Sequence, residues 1–527
     1  MSSLLMSSLA LDGNTLTVDQ ALAFLRNPTA VSVAPHALDR VRASHQGVEQ
    51  ALRAGSKRIY GFHTGLGRLK DFLVEEGDQA QFQTNILNSH AAGIGPYFND
   101  DICRLSMLIR ANVLLQGYSG VRPELVERIV LFLQRGVKPM MRQIGSLGVG
   151  DLQPMAQLGL CLVGSPNGEL KYQGEVGPAD ETLRRAAVDP VEFGLDRLEA
   201  LALLSGSTVQ LATCVWALGK ARAILRLSNA ALALSLEAFR GEMDAYDPRV
   251  HHARGVPGQI STAAAVRSML SGSQFTTPLG RGVFEAGQRV QDPVSYRAAP
   301  QVHGACGDVL TYIESVLQRA LNAASDNPLF FQQVDGTYEG LSGGNFHGAG
   351  MGYCMDFAAV VLTDLAVLSE RRSARLLDPN MSNGLPMNLV AGKHGMNTGF
   401  ALIQANAVAL VSEMRVLATP SSVGSIPSKS NQEDHNSLGM TAARKCLQIL
   451  EAVEMTVAIE ILCACQAIDL IRARAPDLVL GKGTTALHQR VRERVPKMEQ
   501  DSYTGKMLLE MVELVHGDEF LEGMPEL

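Results

Sequence analysis

Residues 436–474 read NSLGMTAARKCLQILEAVEMTVAIEILCACQAIDLIRAR. The stretch is apolar on most faces of a helix, and it contains only sparse acidic residues: Glu451, Glu454, Glu460 and Asp469. A helix that is apolar nearly all round is surrounded by other helices. Long helical patterns also occupy the segments 195–243, 303–325, 354–377 and 396–417. The sequence therefore predicts a mainly α fold, built as a bundle of long helices.

The chain changes character along its length. The first 195 residues mix short helical patterns with Gly- and Pro-containing loops, and Thr17 with Gln20 three residues later is typical of a helix start. Towards the end of the chain the helical patterns are shorter and charged residues are more frequent. We therefore expect a loop-rich helical part (1–195), a central long-helix bundle (196–480) and a C-terminal helical appendage (481–527).

Composition excludes several classes of protein. The chain of 527 residues has a net charge of −7, which argues against binding to nucleic acid. Its eight cysteines are scattered without a CxxC pair, as expected for free thiols in a reducing cytosol. The N-terminus lacks the basic region of a secretory signal. The charge-free stretch from Leu201 to Gly219 is long enough to span a membrane, but its several hydroxyl and amide side chains favour a buried helix. We expect a cytoplasmic protein without a membrane partner.

Five polar clusters lie among glycine or apolar residues, where simple solvation explains them poorly. They are residues 60–67, 88–95, 291–304, 342–347 and 431–435. These clusters supply a phenol, an imidazole, a guanidinium and a carboxylate. An arginine suits bidentate binding of a carboxylate, and a tyrosine with a lowered pKa can act as a general base.

Each of these residues also has a structural interpretation. Tyr60 could anchor its loop, His90 could be a satisfied core histidine, and Glu433 could partner a helix cap. The glycine-rich runs lack the ending of a phosphate loop and the strand-then-helix setting of a dinucleotide fingerprint. Neither His251-His252 nor the segment 433–435 has metal-ligand spacing, so we expect no metal site.

The clusters together resemble one family. The motifs YGFHTGLG, SHAAGIG, GDLQP, QDPVSYRAAPQVHGA, SDNPL, SGGNFH, GLPMNLV and SNQEDHNSLG occur in family order from about Val18 to beyond Ala475. In this combination the chain is similar to the histidine ammonia-lyase and aromatic amino-acid ammonia-lyase and aminomutase family, closest to its histidine branch. The resemblance implies the mainly α, fumarase/aspartase-like long-helix fold and a homotetramer whose active sites combine several subunits.

The resemblance also implies roles for individual residues. Tyr60 would remove the β-proton of an amino-acid-like substrate. His90 and Glu433 match the histidine branch, in which they surround the substrate side chain and amine. This pair points to a polar ring, imidazole or phenol.

Three further positions follow from the same resemblance. Arg297 would hold the substrate carboxylate, with Gln291 nearby, and Phe346 would line the cofactor pocket. The expected reaction is carbon–nitrogen elimination from a small amino-acid-like substrate.

One motif departs from the family. The family reads Gly-Ser-x-Gly-Ala-Ser-Gly-Asp-Leu, and its Ala-Ser-Gly cyclises to methylidene-imidazolone. Here the run from Gly145 to Leu152 is one residue short, and its degenerate cofactor loop consists of Gly148, Val149, Gly150 and Asp151. Valine has no hydroxyl to lose, so we expect no methylidene-imidazolone and no other cofactor.

Two neighbouring positions differ as well. The tyrosine of the family's QDPY is Val294, and the asparagine of Leu-Asn-Gly-Thr is Ser205. Three functions stay open: a lyase-like elimination with Tyr60 as base, a repurposed dehydration, cyclisation or isomerisation, and non-catalytic ligand binding.

Overall fold

The computed structural model describes residues 8–54, 58–284 and 289–525, and these fold mainly as helices (59% helix, 8% strand). This confirms the predicted mainly α class. The α-helices are α1 (Val18–Phe24), α2 (Pro35–Ala54), α3 (Gln79–His90), α4 (Asp100–Leu114), α5 (Pro123–Arg135), α6 (Leu152–Leu162), α7 (Ala179–Arg185), α8 (Glu199–Leu204), α9 (Thr208–Phe239), α10 (Pro248–Arg254), α11 (Pro257–Met269), α12 (Pro278–Arg281), α13 (Val294–Arg297), α14 (Ala299–Ala320), α15 (Ala349–Leu377), α16 (Ala401–Leu417), α17 (Gly439–Arg474), α18 (Lys482–Arg494) and α19 (Thr504–His516).

The strands are short and form small sheets. They are β1 (Leu9–Leu11), β2 (Val31–Val33), β3 (Ile94–Tyr97), β4 (Lys138–Pro139), β5 (Arg142–Ile144), β6 (Glu169–Tyr172), β7 (Glu175–Pro178), β8 (Leu329–Gln332) and β9 (Tyr338–Leu341). β1 pairs with β2 in parallel, whereas the pairs β3–β5, β4–β6, β6–β7 and β8–β9 are antiparallel.

The predicted long helices are present, with one break. The first predicted segment, 195–243, divides into α8 and α9 around Gly206, whose φ of 88° suits glycine. A Cβ at this position would lie 2.4 Å from the Ser325 hydroxyl oxygen. The capping box at the start of α1 is also present, with the Thr17 side chain accepting from the Gln20 amide.

The central helix α17 is buried as its sequence predicts. Residues 456–468 are buried without interruption, and the Glu460 carboxylate among them is fully buried. A charge in such a position needs an opposite charge close by, and Arg372 on α15 supplies it.

The chain folds into two compact units. The first comprises residues 1–218, 313–356 and 420–444, and the second comprises 219–312, 357–419 and 445–527. Each unit is therefore assembled from segments that lie far apart in sequence. The three-part division drawn from the sequence stays a prediction.

The first unit contains an apolar cluster that fixes the glycine-rich loop. Its buried members are Val48, Leu52, Ile59, Phe62, Leu198 and Phe330. Burying one such side chain stabilises a fold by about 1.5–3 kcal/mol. Because Ile59 and Phe62 lie on either side of Tyr60 in sequence, the cluster anchors the loop that carries the phenol.

Two helical stretches, Glu199–Phe239 and Ala349–Leu377, have the length and mean hydropathy of a membrane span. Within the protein, however, 94% and 61% of their apolar windows are buried. Core helices of soluble proteins share these properties. The eight cysteines are all buried, and none forms a disulfide.

Candidate active site

A cavity of about 450 Å³ lies in the first unit. It brings together residues from four of the five polar clusters, Tyr60, His90, Phe346 and Glu433, and it also includes Val149 and Gly150 of the degenerate cofactor loop. Apolar side chains line much of the remainder, among them Leu66, Phe82, Leu201 and Leu204. An apolar cavity with a few convergent polar groups is the usual form of a small-molecule site.

Hydrogen bonds to two backbone groups of the Tyr60 loop, the Gly67 amide and the Phe62 carbonyl, hold it in place. The Tyr60 hydroxyl accepts a hydrogen bond from the Gly67 amide at 2.8 Å, and Gln79 Nε2 donates to the Phe62 carbonyl at 2.6 Å. Gly61 has a φ of 73°, and a Cβ there would lie 2.2 Å from Leu201 Cδ2. The glycines therefore let the loop pass close to α8 and direct the phenol to the cavity.

The environment of Tyr60 opposes its ionisation. Burial raises the pKa of the phenol above its ordinary 10.0, and the Glu433 carboxylate raises it further, while the Gly67 amide lowers it. A tyrosine acts as a general base when its pKa is lowered, and the residues of this chain together do not lower the pKa of Tyr60. A cation bound beside the phenol would lower the pKa, because opposite charge favours the phenolate.

His90 ends α3 as a neutral imidazole. Its Nδ1 lies 2.8 Å from the Ile86 carbonyl, which only accepts, so Nδ1 carries the proton and Nε2 is an acceptor. Burial lowers the pKa of His90, the bond to Ile86 opposes this, and the Lys429 charge lowers it further.

Glu433 has one paired and one unpaired oxygen. Lys429 Nζ lies 3.3 Å from Oε1, whereas Oε2 is buried and has no hydrogen-bond partner among the described residues. Lys429, Ser430 and Asn431 have φ values of 48°, 55° and 61°. This left-handed conformation costs about 1–2 kcal/mol at a residue such as Lys429 or Ser430, and less at asparagine. Strained backbone of this kind clusters at functional sites.

Sequence reasoning missed Lys429, which also lines the cavity. Lys429 precedes Glu433 by four residues, a spacing that brings two side chains together in an α-helix. This segment, however, is not an α-helix. The left-handed turn that brings the two residues together contains no glycine, so the sequence does not predict it.

The degenerate cofactor loop is tied to its surroundings through its backbone. The Gly148 carbonyl accepts from the Ser437 hydroxyl at 2.8 Å, and the Gly150 amide donates to the Phe346 carbonyl at 3.2 Å. Val149 lines the cavity and is only 8% exposed. A hydrophobic side chain therefore forms this wall of the site.

Asp151 is buried behind the loop and does not line the cavity. Its carboxylate accepts from the Ser146 hydroxyl at 2.6 Å and from the Gln210 amide at 2.8 Å, in the first turn of α9. Burial raises the pKa of Asp151 to about 6, although both hydrogen bonds oppose the shift. The residue joins the loop to the positive end of the long helix.

Gln291 and Arg297 lie in the second unit, and neither lines the cavity. Both side chains are exposed. The turn that presents Arg297 is nevertheless well anchored: the Tyr296 ring stacks on Phe239 at 4.3 Å, and the Tyr246 hydroxyl donates to the Tyr296 carbonyl at 2.7 Å.

A buried ion pair lies behind this turn. Arg372 Nη2 is 2.8 Å from Glu460 Oε2, and the Ser235 hydroxyl donates to Glu460 Oε1 at 2.7 Å. The Arg372 guanidinium also donates weakly to the Ser295 carbonyl, at 3.5 Å. Burial disfavours the Arg372 charge, but the Glu460 carboxylate holds its pKa above the ordinary range.

Within the ranges that the structure describes, no group of three or more histidine, cysteine, aspartate or glutamate side chains is arranged to hold a metal ion.

The model of the family described as aromatic amino acid lyase matches residues 16–493. The chain belongs to this family. It is 42% identical over 494 residues to a histidine ammonia-lyase of Geobacillus thermodenitrificans, covering 94% of each chain. These matches confirm the family resemblance drawn from the motifs.

Two solved structures extend the comparison. The histidine ammonia-lyase of Trypanosoma cruzi is 32% identical with a TM-score of 0.86, covering 98% of this chain and 94% of that one. An ergothioneine-degrading enzyme of Treponema denticola, called ergothionase, is 27% identical with a TM-score of 0.90, covering 98% and 99%. The ammonia-lyase long-helix fold is thereby confirmed.

Proposed function

We propose that the protein is a carbon–nitrogen lyase that eliminates an amine from an α-ammonio carboxylate without a methylidene-imidazolone. The observation that carries the proposal is one cavity lined by Tyr60, His90 and Glu433, with Val149 in its wall. The Tyr60 phenolate takes the β-proton. The electron pair of that C–H bond forms the double bond, and the C–N pair leaves with the amine.

The residues of the loop do not fit the family cofactor. The exocyclic methylidene arises by dehydration of a serine, and Val149 has no hydroxyl. Ser146 stands three residues earlier, and its hydroxyl donates to the buried Asp151 carboxylate. The proposed reaction therefore proceeds without an electrophile that activates the amine.

An unactivated elimination needs a leaving group that departs as a neutral molecule. A primary ammonium also departs as a neutral amine, but only while it keeps its proton. A quaternary ammonium has no N–H to lose, so it remains a positively charged leaving group at every pH. Aromatic faces such as those of Tyr60, Phe82 and Phe346 attract a quaternary ammonium. Such a cation beside Tyr60 would also oppose the rise in the phenol's pKa. The fold shared with an ergothioneine-degrading enzyme supports this leaving group, since ergothioneine is a trimethylammonium betaine.

Arg297 and Gln291 are proposed to reach the substrate carboxylate from a second copy of the chain. Their exposure, and their absence from the cavity lining of the single chain, support this assignment. Large apolar side chains exposed on α15 and α16 suit a homotetramer: Tyr353, Phe357, Val360, Leu402 and Val416. Light scattering on the purified chain measures the assembly, and a monomer would contradict the shared site.

We also propose that the protein works in the cytoplasm.

The decisive experiment compares histidine with its Nα-trimethyl betaine. Absorbance of urocanate and release of trimethylamine are followed for the full-length protein and for Tyr60→Phe. We expect the betaine to react and histidine to stay unchanged. Tyr60→Phe should lower the betaine rate by about 100-fold or more, as loss of a general base does.

An intact mass spectrum tests the cofactor separately. Cyclisation of the loop would lower the mass by two waters, about 36 Da. A chain that shows this deficit and releases ammonia from histidine would overturn the proposal. A chain that turns over neither compound but binds them would instead favour the ligand-binding alternative.

A further inference from the structure

The polar end of the cavity contains a charge pair with one unused acceptor. Lys429 and Glu433 both line the cavity, and their closest approach joins Nζ to Oε1 at 3.3 Å. Glu433 Oε2 has no partner among the described residues although it is buried. A buried acceptor left unsatisfied costs free energy, so a ligand that donates to it gains correspondingly.

His90 adds a second acceptor to the same end. Because Nδ1–H donates to the Ile86 carbonyl at 2.8 Å, Nε2 presents a lone pair. The Lys429 charge is close enough to His90 to affect its ring. The residues that line the cavity thus include two with an acceptor that lacks a partner within the described part of the chain, Glu433 and His90, and one cationic donor, Lys429.

The backbone holds Lys429 at this end. Residues 429–431 adopt a left-handed run, and Asn436 Nδ2 fixes the following turn by donating to the Ile426 carbonyl at 2.7 Å and the Glu433 carbonyl at 3.2 Å. A strained conformation persists only where surrounding contacts determine it. The backbone that carries the lysine is therefore fixed beside the cavity.

We propose that Lys429 determines substrate specificity by selecting a ring that carries a hydrogen-bond acceptor as well as a donor. A neutral azole fits: its N–H donates to Glu433 or His90, and its second nitrogen accepts from Lys429. A ring that only donates gives the ammonium no acceptor beyond Glu433 Oε1. A plain phenyl ring adds neither an acceptor for the ammonium nor a donor for Glu433 and His90. This inference rests on the proposed function only in placing the substrate ring in this cavity.

Binding measured by calorimetry tests the assignment without turnover. The probes are L-histidine and the two isomers of pyrrolyl-L-alanine, in each of which one ring nitrogen is replaced by C–H. The full-length protein should prefer histidine by about 10-fold or more over both isomers, as expected for a hydrogen bond to a charged group. Lys429→Met should remove this preference, and Lys429→Arg should retain part of it.

Lys70→Met is the matched control. Lys70 and Lys429 have side chains that are each 39% exposed, and Lys70 Nζ contacts the same segment through Gln432 Oε1 at 3.0 Å. Lys70 does not line the cavity, so its removal should leave the preference unchanged.

Three results would overturn the assignment. The preference could survive Lys429→Met, all three ligands could weaken equally in that variant, or histidine could fail to bind the unaltered protein at millimolar concentration. Equal weakening would mean that Lys429 only holds Glu433 in place. A failure of the betaine elimination would leave these binding ratios unaffected, so the two proposals fail separately.

Discussion

Removing one partner of the buried Arg372–Glu460 ion pair should destabilise the protein strongly. Both side chains are fully buried, and one of the two contacts of this bidentate pair joins Nη2 to Oε2 at 2.8 Å. At this distance and an effective dielectric constant of about 20, the attraction is about 6 kcal/mol. Much of it offsets the loss of hydration. Arg372→Met leaves the Glu460 charge uncompensated, and we expect a loss of about 3–5 kcal/mol in unfolding free energy.

Urea unfolding followed by far-ultraviolet circular dichroism measures the effect, since the protein is mainly helical. Arg372→Met and Glu460→Gln are each compared with the double variant, which should lose at least about 2 kcal/mol less than the sum of the two. The matched control is Arg249→Met. Its ion pair with Asp247 has the same 2.8 Å distance, but Arg249 is 90% exposed, so its removal should leave the urea midpoint unchanged.

The reasoning fails if either single variant loses less than about 1 kcal/mol, or if the double variant loses the full sum. The pair also bears on the site, because Arg372 donates to the Ser295 carbonyl two residues before Arg297. If Arg297 binds the substrate carboxylate, the single variants should raise KM more than they lower kcat.

Three further predictions concern the site itself. Glu433→Gln removes a charge that raises the Tyr60 pKa, so the rise of the betaine elimination rate with pH should move to lower pH in a pH–rate profile; an unmoved profile would exclude this coupling. Burial raises the Asp151 pKa from 3.8 to about 6, so its contribution to stability is present below pH 4 and is lost as the pH rises through 6. The shift corresponds to about 3 kcal/mol of unfolding free energy. Asp151→Asn should remove this pH dependence when the unfolding free energy is measured across the same range. Gly61→Ala places a Cβ against Leu201 at a φ of 73°, and should lower activity at least about 10-fold while circular dichroism stays native; normal activity would mean that the loop adapts.

Much of the fold could be predicted from local sequence, because a helix repeats its buried face every 3.6 residues. The predicted start of α17 lies within three residues of the observed one, and its predicted end coincides with the observed end. The break between α8 and α9 could not be predicted in this way. It depends on the close approach of Gly206 to Ser325, a contact between residues more than a hundred positions apart.

The candidate site shows the same division. Family motifs pointed to Tyr60, His90 and Glu433, and the structure places them around one cavity. Their spacing in the sequence could not predict that they lie around one cavity. The direction in which the Tyr60 pKa shifts depends on burial, and the pairing of Lys429 with Glu433 depends on a left-handed turn. Neither property has a local sequence signal.

The burial of every cysteine has a practical consequence. The thiol pKa is raised by burial to about 12 at Cys103, Cys306 and Cys465, so these three thiols carry almost no reactive thiolate at neutral pH. Thiol-alkylating reagents should therefore react slowly with the buried cysteines of the native protein. A single cysteine introduced at an exposed position, such as Phe72 beside the Tyr60 loop, would become the one site for a fluorophore or spin label. Motion of the Tyr60 loop could then be followed with little competing reaction at the native cysteines.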